Sequence, residues 1–234
     1  MKAIFENENL LVIEKQAGIV VYSEGPSQEN DGETLIDQIT KEFPKIKNVG
    51  EPPRYGMIHR LDKETSGIIL IAKNNQALEY FQKEFKEKRV QKKYILLVNG
   101  TIEENNGVIE GLMARAPKDK RKQKIYLPYE PFGNKNLRDS KTEYRVLERF
   151  KNFTLVEASP KTGRKHQLRV HFTHLGHPIA GDKLYSFKDQ TIIPGLQRQF
   201  LHCSQLKINL FNGKTKEFHS ELPKDIKELL EKLQ

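Results

Sequence analysis

Cysteine is almost missing from this chain. Cys203 stands alone, which excludes an intrachain disulfide framework and any zinc site built on cysteines, and fits the cytosol. Long apolar runs are missing too: no stretch approaches the roughly 20 residues that a membrane-spanning helix needs. The opening residues, Met1 to Asn9, carry acidic side chains where an export signal has an apolar core, so no membrane partner is expected. Acidic residues are in deficit, 31 Asp and Glu against 40 Lys and Arg, a formal charge of +9. Such a balance suits a polyanion such as nucleic acid, although a lysine-rich soluble surface has the same sign. Internal repeats and low-complexity linkers are absent as well. The 234 residues therefore read as one domain, in one or two lobes, long enough to bury a substantial core.

Hydrophobic spacing supplies the elements. Leu10 to Ile13 reads as a short buried strand, and Gly18 with Ile19, Val20 and Val21 as a turn into another. After a polar, turn-prone stretch from Gly25 to Gly32, Thr34 caps a helix whose Leu35, Ile36, Ile39 and Phe43 recur at helical spacing and which Pro44 closes. A polar turn from Asp62 to Gly67 feeds an apolar strand, Ile68 to Ala72. Asn74 or Asn75 then caps a helix with Leu78, Phe81 and Phe85 on one face. Tyr94 to Val98 is β-rich and ends at the Asn99-Gly100 turn.

Residues 114 to 141 are the least regular, with six Lys and Arg between Arg115 and Lys124 and prolines at 117, 128 and 131. They read as an exposed basic insertion, either a solvated hairpin loop or an arm that grips RNA. Glu143 to Glu148 and Phe153 to Ala158 look like paired strands. His166 to Leu175 fits a helix through Leu168, Phe172 and Leu175, stopped by Gly176 and Pro178, although a strand stays open. A strand near Leu206 to Leu210 and a helix from Pro223 to Leu233, with Ser220 as its cap, complete an α+β pattern.

The run His59-Arg60-Leu61-Asp62-Lys63-Glu64-Thr65-Ser66-Gly67 puts a carboxylate between cations at a turn into a buried strand. Asp62 there is a nucleophile, a charge stabiliser or a turn-capping aspartate. His166, His171, His174 and His177 invite a metal-site reading, but a helix spreads them around its circumference, so no metal is expected.

His59 to Gly67 resembles the catalytic motif of the RluA-type pseudouridine synthases. The resemblance recurs in order at Val12-Ile13-Glu14-Lys15-Gln16-Ala17-Gly18, at Lys92-Lys93-Tyr94, along Thr162-Gly-Arg-Lys-His-Gln-Leu-Arg-Val-His171, on to Gly176-His-Pro-Ile-Ala-Gly-Asp182, and at Leu201-His202. It spans about residues 10 to 210 and departs in two places. Glu14-Lys15-Gln16 stands where relatives often show Asn-Lys-Pro, and the catalytic pattern begins within the first dozen residues, leaving no room for the small RNA-binding domain that precedes it in many members.

The resemblance implies an α+β catalytic fold, a mostly antiparallel mixed sheet with flanking helices and an RNA-binding cleft. It also implies isomerisation of uridine to pseudouridine in structured RNA, ribosomal or transfer, by a monomer with no cofactor. Asp62 would be the essential carboxylate, attacking the sugar or the base or starting an elimination. Tyr94 would stack on uracil and serve a proton transfer, Arg169 would orient the carboxylate, and Arg60 would fill the space left by an extruded uridine. His59, Arg164, His166, Gln167 and Leu201 would line the substrate. A non-catalytic RNA-binding or ribosome-assembly protein on the same fold is the alternative, and the Asp62, Tyr94 and Arg169 set speaks against it.

Overall fold

The structure, a computed structural model, describes residues 2–23, 32–127 and 136–233. In chain order the elements are β1 (Lys2–Glu6), β2 (Leu10–Lys15), α1 (Leu35–Glu42), β3 (Ser66–Ala72), α2 (Asn75–Lys86), β4 (Gln91–Asn99) and β5 (Asn106–Arg115). There follow β6 (Gln123–Tyr126), β7 (Arg138–Arg149), β8 (Phe153–Pro160), α3 (Gln167–His174), β9 (Leu201–Asn209), β10 (Thr215–His219) and α4 (Lys224–Glu231). The chain forms two compact units, one running up to Gln91 and including Cys203–Glu221, the other made of Lys92–His202 and the residues from Leu222 onward.

In the first unit the strand order is β1-β2-β3-β9, with β10 on β9. β1 with β2, β2 with β3, and β9 with β10 are antiparallel. Every residue of β3 is buried, as expected of a continuous apolar run with both faces covered. Gly67, second in that strand, has φ +121°, and a Cβ there would lie 2.3 Å from the Cys203 carbonyl oxygen, so the close approach of the two backbones requires glycine.

α1 begins as the sequence reads. Thr34 and Asp37 form a reciprocal capping box. The amides of Leu35 and Ile36, which a helix cannot satisfy itself, donate to the carbonyls of Val20 and Val21 at 2.8 and 3.1 Å. This corrects the strand expected over Ile19–Val21: its hydrogen bonds go to the opening turn of a helix rather than to a ladder. Asn74 caps α2 by accepting from the Ala77 amide. Leu78 and Phe81 face inward.

The second unit carries strands in the order β4-β8-β7-β5-β6 with antiparallel pairing throughout. Leu97, Phe153, Leu155, Ala180, Phe200, Ile226 and Leu229 form its core, so α4 closes it from one side. Six consecutive residues of α3, Gln167 to Phe172, are buried, and each polar one must therefore find a partner inside. The basic insertion contains β6, which pairs with β5 from Leu112↔Tyr126 to Arg115↔Gln123. Pro128 and Pro131, and the turn-prone stretch from Gly25, lie outside the described residues.

The α+β class with a mostly antiparallel sheet and flanking helices is what the structure shows. Two edge strands, β1 and β10, were not expected. Ser220 does not cap α4, whose cap position is Pro223; its hydroxyl donates to Glu14 at 3.0 Å.

Candidate active site

Asp62 sits half-buried in the loop before β3, and its carbonyl accepts the Thr65 amide at 3.0 Å, closing a tight turn. The turn is gripped from below. Lys15, fully buried at the end of β2, donates its ammonium to the carbonyls of Gln16, Lys63 and Thr65, each at 2.9 Å. The Gly18 amide adds a second donor to the Lys63 carbonyl at 2.9 Å. A buried ammonium is costly unless several oxygens replace its water, and here two of the three belong to residues that follow Asp62. The two separate motifs, Val12–Gly18 and His59–Gly67, are thus one structure: the first holds the backbone of the second.

The residues before Asp62 alternate between inward and exposed positions. His59 points inward, stacking on Phe85 at 4.8 Å, and its Nε2 accepts the Leu70 amide at 3.1 Å. That ring nitrogen is committed to the scaffold. Arg60 is exposed, its guanidinium 4.8 Å from the centre of the Tyr22 ring, with Arg54 over the same ring at 5.3 Å. Leu61 is buried again.

In the second unit Tyr94 is buried on β4 opposite Ala158 of β8. Arg169, buried on α3, forms a bidentate pair with Asp182, Nε to Oδ2 at 2.6 Å and a terminal nitrogen to Oδ1 at 2.9 Å. Asp182 Oδ1 also accepts the amides of Leu184 and Tyr185. The carboxylate is saturated and the guanidinium fixed in plane. Tyr185 covers that guanidinium at 5.0 Å. Its hydroxyl accepts the Gln123 amide at 2.8 Å and shares a hydrogen bond with His166 Nδ1 at 2.9 Å, tying the base of the basic hairpin to the start of α3.

Gln167 was expected to touch substrate. Its side-chain amide makes its hydrogen bonds inside the protein: Oε1 accepts from Thr162 and the Arg164 amide, and Nε2 donates to the Lys141 carbonyl and Thr142. It shapes the loop that presents Arg164, whose Nε donates to the Asp139 carbonyl at 2.9 Å. Leu201 is buried at the start of β9.

His171 is fully buried, its Nε2 2.9 Å from Ser140 Oγ. The Ser140 hydroxyl proton goes to the Gly111 carbonyl, so His171 must donate from Nε2, which leaves Nδ1 a lone pair with no hydrogen-bond partner among the described residues. Burial pushes its pKa down from 6.5 to about 4. Among the described residues no group of three or more His, Cys, Asp or Glu is arranged to hold a metal ion, and no helix is long and apolar enough to cross a membrane.

Sequence reasoning missed Lys15 as a clamp, Asp182 as the carboxylate on Arg169, and Tyr185 altogether. Lys15 left a faint signal, a lysine directly following an apolar strand. Tyr185 left none.

Residues 9–174 match the family described as RNA pseudouridylate synthase. The chain belongs to that family. It is 35% identical over 205 residues to an uncharacterized RNA pseudouridine synthase of Aquifex aeolicus, covering 87% of this chain and 61% of that protein. It is 32% identical over 244 residues to ribosomal large subunit pseudouridine synthase D of Haemophilus ducreyi, covering 100% and 70%. The Borreliella burgdorferi protein of the same name is 36% identical over 228 residues, covering 94% and 65%. The chain thus spans 61 to 70% of the length of these relatives. Among solved structures, human RNA Pseudouridylate Synthase Domain Containing 1 superposes with a TM-score of 0.74 at 28% identity, covering 95% of this chain and 83% of that one. The matched family segment contains Asp62, Tyr94 and Arg169 but ends before Asp182, Tyr185 and Leu201.

Proposed function

We propose that the protein converts specific uridines to pseudouridine in structured RNA, with Asp62 as the reactive carboxylate. The observation that carries this reading is the clamped turn, in which a fully buried lysine fixes the backbone around a half-buried aspartate in the family's matched segment. Such rigidity suits a group that must meet a reacting carbon in one geometry. The N1–C1′ glycosidic bond breaks, uracil turns, C5 bonds to C1′, and C5 loses the proton that N1 regains. Electrons balance without an oxidant or reductant, so the reaction calls for no cofactor.

Tyr94 stacks on uracil and takes part in the C5 proton transfer. Arg169, locked in plane by Asp182, supplies a fixed positive charge to the reaction. Arg60 fills the space left when the nucleotide is extruded, a step that chemistry on a stacked base requires. Arg164 and His166 border the substrate. Ribosomal RNA is favoured over transfer RNA because relatives similar over nearly the whole chain are named for the large ribosomal subunit.

The test is to map pseudouridine across all cellular RNA with the gene intact, deleted, and carrying Asp62→Asn. The expected result is loss of pseudouridine at defined sites in large-subunit ribosomal RNA in both altered strains, with the variant protein as stable as the parent and still binding RNA. Near-normal modification by Asp62→Asn removes Asp62 from its role, and sites confined to transfer RNA overturn the choice of substrate.

A further inference from the structure

Arg60 is exposed, yet it is not a loose surface side chain. His59 before it is pinned by the Leu70 amide and the Phe85 ring, and Leu61 after it is buried. The residue it meets, Tyr22, is just as firmly placed: Val21 is buried beside it, and the carbonyls of Val20 and Val21 hold the opening amides of α1. Two rigid backbones therefore bring the Arg60 guanidinium to 4.8 Å from the Tyr22 ring centre. Among the described residues that ring is its one aromatic partner, and no carboxylate or carbonyl takes its N–H groups. Tyr22 is buried while Arg60 is exposed, so the guanidinium lies between a protein ring and solvent.

We propose that Tyr22 is the positioning residue for Arg60, bracing the guanidinium from one side and leaving its other face and its donor edge for RNA. This rests on the reading in which Arg60 fills the space of an extruded uridine. The chemistry fits that task. An ion pair to a carboxylate would use up the fork of N–H donors that a phosphate or base edge needs, whereas an aromatic ring takes only the face. Tyr22 bears no role in the reaction itself, and its hydroxyl makes no hydrogen bond to a described residue. Arg54 over the same ring at 5.3 Å places a second cation beside the first, a density of positive charge that suits a phosphate backbone.

A solvent-exposed cation resting on a ring is favoured only several-fold, roughly two- to fivefold, and that sets the size of the expected effect. Single-turnover rates at saturating enzyme are compared for Tyr22→Phe and Tyr22→Leu on paired RNAs that differ only in stacking around the target. Tyr22→Leu should slow the stacked substrate about two- to fivefold and the unstacked one not measurably, while Tyr22→Phe, which keeps the π face, restores the parent rate. In an Arg60→Ala background Tyr22→Leu should change nothing further. A second readout needs no turnover: with Asp62→Asn enzyme, a 2-aminopurine beside the target reports unstacking by fluorescence, and Tyr22→Leu should lower that signal. Equal slowing on both substrates, a faster rate, or a loss that persists without Arg60 overturns the proposal, as does an unchanged fluorescence signal. Absence of pseudouridine with every RNA defeats the functional reading instead, and the fluorescence still decides the role of Tyr22. Melting curves accompany each variant, and Tyr22→Met replaces the leucine variant if that one does not fold.

Discussion

The loop that carries Asp62 and the helix that carries Arg169 are made rigid by different means. The first is held through backbone: one ammonium, from Lys15, gathers three carbonyls, two of them on residues that follow Asp62. The second is held through side chains, with Arg169 on Asp182, Gln167 on Thr142 and Thr162, His171 on Ser140 and Tyr185 on His166. A backbone clamp tolerates changes at the residues it holds but depends chiefly on the clamping side chain. A side-chain network spreads the dependence, and each member removed leaves a buried partner unsatisfied.

Asp182→Ala and Lys15→Met set the two designs against each other. Asp182→Ala strands a buried guanidinium and two amides, and should cost about 3 to 5 kcal/mol in denaturant melts. Lys15→Met removes a costly buried charge together with its bonds, so its loss should be smaller, about 2 kcal/mol. Its effect on turnover should nonetheless exceed that of a neutral change of equal stability, because the backbone beside Asp62 loses its anchor. If Lys15→Met lowers stability as much as Asp182→Ala, or leaves turnover at the parent rate, the contrast fails.

Acid should strike the second region through His171. Its folded pKa, about 4, lies below its ordinary 6.5, so the unfolded chain binds the extra proton first. The stability contributed by keeping this ring neutral is complete above pH 6.5 and is lost as pH falls toward 4, by roughly 3 kcal/mol in all. Urea melts at pH 7 and pH 4.5, with His171→Gln beside the parent, should show the variant losing less on acidification. Equal losses in the two proteins assign the acid limb to other groups.

The smallest effect is expected at Tyr185. Tyr185→Phe keeps the ring over Arg169 but removes the acceptor of the Gln123 amide and the partner of His166, a loss of about 1 to 2 kcal/mol. Faster hydrogen exchange at the Gln123 amide, with β8 amides unchanged, would show that the tyrosine anchors the basic hairpin. Unchanged exchange at Gln123 removes that link.

Local chemistry was legible in the chain itself. α1, α2 and α3 fall where apolar spacing put them, Thr34 and Asn74 cap as their side chains allow, and the β7–β8 pair stands where alternating residues marked it. These features depend on residues near one another in sequence, where spacing and side-chain type carry the information. Edge strands were not legible, because β1 is half-exposed and lacks the inward face that alternation reveals. Ile19–Val21 misled because β-branched residues suit an extended backbone whether its partner is a strand or a helix end.

The sequence by itself determined the class, the order of the motifs, and the identities of Asp62, Tyr94 and Arg169 as residues to examine. Only the tertiary structure decided how those residues are held. It bonded Lys15 to carbonyls 48 and 50 positions away, gave Arg169 its carboxylate at Asp182, turned Gln167 inward and set Arg60 on Tyr22. The physical reason is that a backbone carbonyl has no signature in the sequence and a buried polar side chain takes whichever partner the fold brings within about 3 Å. Such pairings exist only once distant segments have been packed together.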